Sequence, residues 1–192
     1  YKPLAIVSGD FYWVSDHGNI QVIIAADCTG HGVPGAFMSM LGVTMLNELV
    51  NGKHVLMPDQ ILENLRQGVI RSLKQVPEED SIKDGMDIAV CVVDFEKNIL
   101  WYAGANCPLY LIRGNELIHY RADKMPASIH YRMDPFKLHR IDIEKGDAFY
   151  IFSDGFADQF GGPNQKKFMT NQLRETLVAM SGEPMLKQGE KL

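Results

Sequence analysis

Apolar positions along the chain follow two alternating rhythms. Residues 5–14 and 20–26 are rich in β-branched and aromatic side chains, and the intervening "SDHGN" carries turn formers, so the chain is expected to open as a β-hairpin. The spacing then changes. Met38, Leu41, Met45, Leu46 and Leu49 fall on one helical face, and Ile61, Leu62, Leu65, Val69, Ile70, Leu73 and Val76 on another. These predict amphipathic helices over residues 34–51 and 58–76, each opening at a proline, a residue that a helix start tolerates. The methionines of the first helix can be imagined as a ligand stripe, but a Met-rich apolar face reads as ordinary core.

The polar stretch "PEEDSIKDG" is read as a solvated loop leading into a second run of strands: "MDIAVCVVDF", "ILWYAGA", "PLYLIRG", "ELIHYR", "KLHRIDI" and "DAFYIFSD". Turn formers such as "EKN", "GN" and "EKGD" separate several of them, which predicts an antiparallel meander. A third helix is expected after Gly162 from the spacing of Phe168, Met169, Leu173, Leu177 and Met180, whereas "SGEPMLKQGEKL" is polar and weakly patterned. The order hairpin, helix pair, strands, helix fits an α+β fold of two stacked antiparallel sheets with helices outside, a four-layer α/β/β/α sandwich. No internal repeat or low-complexity tract interrupts it.

Composition narrows the partners more than the fold. With 192 residues, 46% hydrophobic and 22% charged, the chain suits one globular domain, residues 1–192, able to bury a sizeable core. A net charge of −5 and a pI near 5.7 offer no basic footprint, so neither nucleic acid nor an anionic membrane is expected as a partner. Cys28, Cys91 and Cys107 are odd in number and lack metal-ligand spacing, which argues against a disulfide framework or a zinc site and for the cytoplasm. No apolar run approaches the roughly 18 residues of a membrane span. The start, "YKPLAIVSGD", lacks the charged and apolar regions of a secretory signal.

Candidate chemistry is concentrated where strands end in acids. "VIIAADCTGHGVPGAF" runs from an apolar strand through Asp27 into a glycine-crowded turn with His31, and "FYIFSDGFADQFGG" repeats the pattern with Asp154 followed by Gly155. Asp10, in "SGDFYW", sits between a glycine and an aromatic residue early in the first hairpin. Acids on half-buried strands are costly unless paired or bound to a cation. A purely structural reading stays open for Asp27 taken alone: a loop cap, turn glycines and Pro34 at a helix start. If the three acids converge, their mutual repulsion calls for a hard divalent cation, and an all-oxygen ligand set favours Mg²⁺ or Mn²⁺ over zinc or copper.

Five motifs in order, "SGDFYW", "ADCTGHGVPGAFMSMLG", "DGMDIAV", "YAGANCPLYLIR" and "FSDGFADQFGG", resemble those of the bacterial SpoIIE/RsbU-like branch of the PPM metal-dependent serine/threonine protein phosphatases. The resemblance runs from Val7 to the helix after Gly162. It implies the same sandwich, a centre of two Mn²⁺ or Mg²⁺ ions, and hydrolysis of phosphoserine or phosphothreonine on a protein. Typically that substrate is a small anti-sigma-factor antagonist in a partner-switching circuit. By the same match, Asp27 would bridge both metals, the Cys28 main-chain carbonyl would be a backbone ligand, and Asp154 would bind the second metal. Asp10 would lie beside the first metal and orient bound water. A bridging hydroxide would then attack phosphorus in line, with no phosphoenzyme.

Other residues are weaker candidates. His31 can donate a proton to the leaving serine oxygen, or be a plain loop residue. Asp87 can reach the metals or serve a turn, and Asp158 reads as a helix or turn cap. Cys28 lacks a basic partner at a recognisable spacing, which argues against a nucleophilic thiol. No arginine stands beside Asp10 in the sequence to clamp phosphate. The family's closing pair of acids and the strand behind it do not occur after Gly182. Either the site is degenerate or, as the intact Asp10, Asp27 and Asp154 favour, the chain is truncated there; the start at Tyr1 also cuts into an expected strand, so truncation at both ends relative to a larger parent with an upstream sensor domain is expected. On its own it would be weakly active, with a bare sheet edge that can pair in a homodimer. Two further function classes stay open: a catalytically weak binding or regulatory module of phosphatase fold, and a metal phosphoesterase acting on small molecules.

Overall fold

The computed structural model describes residues 7–77, 83–161 and 166–192. The opening hairpin consists of β1 (Phe11–His17) and β2 (Ile20–Cys28), with His17 facing Ile20 across a two-residue turn. The turn is tighter than expected because Ser15, Asp16 and His17 continue the strand. Gly18, at φ 66°, occupies the first turn position, where a type II′ turn needs glycine. Residues 7–10 of the expected strand are irregular, and residues 5 and 6 lie outside the described residues.

The first helix, α1 (Gly32–Leu46), starts two residues ahead of Pro34 and continues in wider π-helical turns over Asn47–Gly52. The second, α2 (Pro58–Ser72), begins at its proline and stops short of Leu73 and Val76, which are part-exposed. α1 is not amphipathic in the expected way. Met38, Gly42 and Leu46 are buried, but Val33, Phe37 and Met40 face solvent. The helix has no charged side because the residues between its apolar positions are glycine, alanine, serine and threonine. Within the 21-residue helix Gly32–Gly52 an 18-residue window consequently reaches a mean hydropathy of 1.3, long and apolar enough by length and composition to cross a membrane, against the expectation of no such run. Within the fold, Leu46, Leu49 and Val50 of this stretch pack in the core.

The later strands fall where expected: β3 (Met86–Asp94), β4 (Ile99–Ala105), β5 (Leu109–Arg113), β6 (Glu116–Tyr120), β7 (His139–Asp142) and β8 (Ala148–Ile151). They do not form one meander. The first sheet has the order β1-β2-β3-β4-β7 and the second β6-β5-β8, with antiparallel pairing throughout. After β4 the chain crosses to the second sheet, returns for β7 and crosses again for β8. Turn residues specify that a chain reverses, not which sheet receives the next strand. A small hairpin of β9 (Phe160–Gly161) and β10 (Lys166–Lys167) precedes α3 (Thr170–Met180) and a short α4 (Met185–Lys191). α4 leaves Met185 and Leu186 exposed and buries Gln188, so apolar spacing does not reveal it. Three acids of "PEEDSIKDG", Glu78, Glu79 and Asp80, and the Gly162 boundary lie outside the described residues, whereas its fourth acid, Asp84, is half-buried.

Alternation along the central strands produces the layers. On β3, Ile88, Val90 and Val92 pack with Val22 and Ile24 of β2 against Leu46, Ile61 and Leu65 of the helices. The intervening Ala89, Cys91 and Val93 meet Leu109 and Leu111 of β5. β3 reads as a continuous apolar run because both of its faces are covered. β5 repeats the device, turning Tyr110 and Ile112 onto Leu173, Leu177 and Met180 of α3. The result is the expected α/β/β/α sandwich. The long segment 121–138 is tied to α2 through Arg66, which is 3% exposed. The Arg66 guanidinium lies 4.6 Å from the Phe136 ring centroid, donates to the Asp134 carbonyl at 3.0 Å and pairs with Glu63.

Candidate metal centre

Strand register brings the acids together. Asp27, next to last in β2, is the Cα partner of Asp87, second in β3, so both side chains leave the sheet on the same face. Gly9 lets the chain ahead of β1 press onto the end of β2: a Cβ there would lie 2.8 Å from the carbonyl oxygens of both Cys28 and Gly30. Gly35, in the first turn of α1, would meet the Gly30 carbonyl oxygen at 2.5 Å and the Gly9 Cα at 3.1 Å. Backbone therefore packs on backbone at Gly9, Gly30 and Gly35. That contact sets Asp10, the Cys28 carbonyl and the start of α1 side by side.

The Asp10 backbone N–H donates to Ser8 Oγ at 3.1 Å, and Asp10 Oδ2 accepts from Ser153 Oγ at 2.9 Å. Ser153 precedes the single helical turn Asp154–Phe156, and a Cβ on Gly155 would stand 3.4 Å from Asp10 Oδ2. The side chains of Asp10 and Asp154 lie near enough to Asp27 to act on its carboxyl. Burial above all, then Asp10 and Asp154, pushes the Asp27 carboxyl up to about 8. Asp87 is also raised, by burial foremost and by the charge of Asp154, against an opposing hydrogen bond from Asn106 Nδ2 at 2.8 Å. Burial, with Asp27 and Asp10, pushes the Cys28 thiol up to about 12, and burial with all four acids raises Cys107 further. Both thiols stay protonated at neutral pH and are poor nucleophiles.

Acids crowded around the half-buried Asp27 form a donor set whose mutual repulsion a hard divalent cation relieves, and every donor is oxygen. Asp10, Asp27, Asp154 and the Cys28 carbonyl therefore fit Mg²⁺ or Mn²⁺ chemically, with Asp87 beside them. Among the described residues no three acid, histidine or cysteine side chains already surround a cation position. His31 stands exposed just ahead of α1, and no hydrogen bond or ion pair joins it to the acids among the described residues. Asp158 pairs with Lys167 Nζ at 2.7 Å, and its N–H donates to the Asp154 carbonyl at 3.0 Å, so it fastens the β9–β10 hairpin to the Asp154 turn.

Asn106, Ser153 and Ser8 carry no pattern that singles them out in the sequence, yet each holds an acid of the cluster. The nearest local signal is "GAN": Asn106 takes φ 57°, a left-handed conformation in which asparagine is enriched. A cleft of about 140 Å³, lined by Asp10, Phe11, Tyr12, Ala25, Ala26 and Ser153, opens beside the acids. A larger cavity of about 240 Å³, near Gly114, Gly146 and Ser181, has no titratable side chain in its lining.

The family described as Stage II sporulation protein E (SpoIIE) matches residues 16–191, a span that begins after Asp10. In three dimensions the chain is similar to the SiaA PP2C domain of Pseudomonas aeruginosa, with TM-score 0.87 and 27% identity over 99% of this chain and 73% of that one. It is similar to the RsbU and RsbW domains of Rv1364c from Mycobacterium tuberculosis, with TM-score 0.74 and 21% identity over 98% and 50% of the two chains. It is also similar to RsbX in complex with magnesium, with TM-score 0.57 and 16% identity over 92% and 81%. The chain thus spans part of the length of each. No curated protein matches it.

Proposed function

The chain belongs to the SpoIIE family, and from that premise we propose that it is a phosphatase that removes phosphate from serine or threonine of a protein with the help of two Mg²⁺ or Mn²⁺ ions. The observation that carries this reading is the convergence of Asp10, Asp27 and Asp154 beside the glycine-packed backbone, with Asp10 fastened to the Asp154 turn through Ser153. Asp27, between the other two acids, would be a ligand of the bound cations. The Cys28 carbonyl, held against Gly9, and Asp154, from the neighbouring turn, flank it. Asp10, fixed by Ser153, is placed to orient water. Cations bound there supply a hydroxide nucleophile at neutral pH and neutralise the phosphoryl oxygens. Magnesium in the RsbX complex supports this choice of metal. His31, at the rim of the Asp27 turn, is assigned to proton donation to the leaving oxygen.

A protein substrate is favoured because the acids are open to solvent, Asp154 exposed and the others half-buried, rather than enclosed in a pocket that surrounds a small molecule. The proposed substrate class is a phosphorylated anti-sigma-factor antagonist of a bacterial partner-switching circuit in the cytoplasm. The likeness to RsbU and RsbW domains supports it. The test is phosphate release from such a phosphoprotein, expected to need Mn²⁺ or Mg²⁺ and to vanish with chelator. Asp27→Asn or Asp154→Asn should cost more than the roughly 10- to 100-fold of an outer-layer change. Turnover of an aryl phosphate without turnover of the phosphoprotein would move the assignment to small molecules. Equal turnover in excess chelator would refute the metal mechanism.

A further inference from the structure

The turn after β4 is built more firmly than a surface turn requires. The Asn106 N–H donates to the Asp123 carbonyl at 2.9 Å, the Asp123 N–H returns to the Gly104 carbonyl at 2.9 Å, and the Cys107 N–H closes on the Ala105 carbonyl at 2.7 Å. From the core side, the hydroxyl of the fully buried Tyr102 donates to the Cys107 carbonyl at 2.7 Å. Tyr102 reaches that carbonyl only because residue 104 is glycine. A Cβ there would collide with the Tyr102 hydroxyl and stand 2.5 Å from the Cys107 carbonyl oxygen. The turn is thus clamped from both sides, and it holds Asn106 left-handed at φ 57° with Nδ2 on Asp87 Oδ1 at 2.8 Å.

An asparagine that served only its own turn would bond to backbone groups of that turn. This one reaches a carboxylate 19 residues earlier on the neighbouring strand. Asp87, in turn, stands across the ladder from Asp27. The choice of side chain matters. Lysine or arginine would hold Asp87 but cancel its charge, whereas a neutral amide orients the carboxylate and leaves its charge to the site.

We propose that Asn106 is a positioning residue of the candidate metal centre, acting through Asp87: its amide takes one Asp87 oxygen and so presents the other to the cation-binding face shared with Asp27. The inference rests on the metal-phosphatase reading above. Asn106→Gly deletes the amide and keeps a residue that adopts the left-handed backbone freely. Calorimetric titration of the full chain with Mn²⁺ should show affinity lowered about 10- to 100-fold, the range for losing a partner that orients a ligand. The melting temperature in EDTA should move by no more than about 3 °C, the scale of a 1 kcal/mol change. The double variant Asp87→Asn/Asn106→Asp keeps the net charge and a hydrogen bond of reversed polarity. It should melt like wild type but not regain affinity, because the carboxylate has left its place opposite Asp27. Mn²⁺ affinity within twofold of wild type in Asn106→Gly, or full recovery in the double variant, would reduce the pair to a turn staple and overturn the proposal. A wild-type chain that binds no Mn²⁺ would instead bring down the metal reading beneath it, an outcome distinct from wild type and variant binding equally.

Discussion

Replacing Gly9 by alanine puts one methyl group where the backbone of two other segments already lies. The new Cβ would stand 2.8 Å from the carbonyl oxygens of Cys28 and Gly30, well inside an ordinary carbon–oxygen contact of about 3.3–3.6 Å. Neither oxygen yields cheaply. Gly30 is already pressed on Gly35, whose own Cβ position is 2.5 Å from the same oxygen, and Cys28 is held in the β2–β3 ladder opposite Met86. Overpacking of this kind costs about 1–3 kcal/mol. At about 2–4 °C per kcal/mol for a domain of this size, the melting temperature in EDTA should fall by about 2–12 °C. The remaining relief is for residues 8–10 to lift off β2, which separates Asp10 from Asp27 and the Cys28 carbonyl, and Mn²⁺ affinity should fall about 10- to 100-fold. Gly155→Ala is the matched control: its Cβ lies 3.4 Å from Asp10 Oδ2 and 3.6 Å from Ser153 Oγ, ordinary contacts with side chains, so stability should change by less than about 0.5 kcal/mol. Thermal melts in EDTA followed by Mn²⁺ titration read both quantities. A Gly9→Ala chain that melts and binds Mn²⁺ as wild type does would show that glycine packing does not hold the site together.

With Asp27 raised to about 8, the folded chain keeps a proton that the unfolded chain releases in the ordinary carboxylate range. Cation-free stability from this group is therefore present at low pH and lost as pH rises from about 4 toward 8. Mn²⁺ should erase that loss. Asp147, held low chiefly by Arg113, contributes with the opposite sign, so the diagnostic is the difference between wild type and Asp27→Asn in melts across that range; a difference that does not change with pH would contradict the assignment. Tyr102→Phe should cost about 1–3 kcal/mol by leaving the buried Cys107 carbonyl without its donor, and chemical denaturation measures it. Arg66→Ala should cost a similar amount, about 1–3 kcal/mol, through the lost Asp134 hydrogen bond and Phe136 contact. It should also speed amide exchange across residues 121–138, and unchanged exchange there would mean that the arginine does not tether the segment.

Legibility in the sequence follows how local each cause is. β3 and β5 are readable as strands because their apolar runs are continuous, and the layers follow because alternate residues of one strand must be covered on both sides. The assignment of β7 to the first sheet is not readable, because "KLHRIDI" and "ELIHYR" carry similar patterns and their neighbours are chosen across the sandwich. Asp27 announces itself because an acid near the end of a buried strand is costly, and Asp10 and Asp154 because each stands beside a glycine at the edge of an apolar run, although Asp10 precedes β1 and Asp154 lies on an exposed turn after β8. Asp87 reads only as a weaker candidate beside a turn role, since its place opposite Asp27 depends on register, and a one-residue slip of β3 would send it to the other face. Both faces of β3 are apolar, so the hydrophobic pattern alone does not choose between those registers. The choice has to come from contacts distant in sequence: the Thr29 N–H on the Gly85 carbonyl at 3.0 Å, the Ala127 N–H on the Met86 carbonyl at 2.8 Å and the Asn106 amide on Asp87. The acids that would hold a cation are thus visible one strand at a time, whereas the residues that aim them become visible only once three segments of the chain have met.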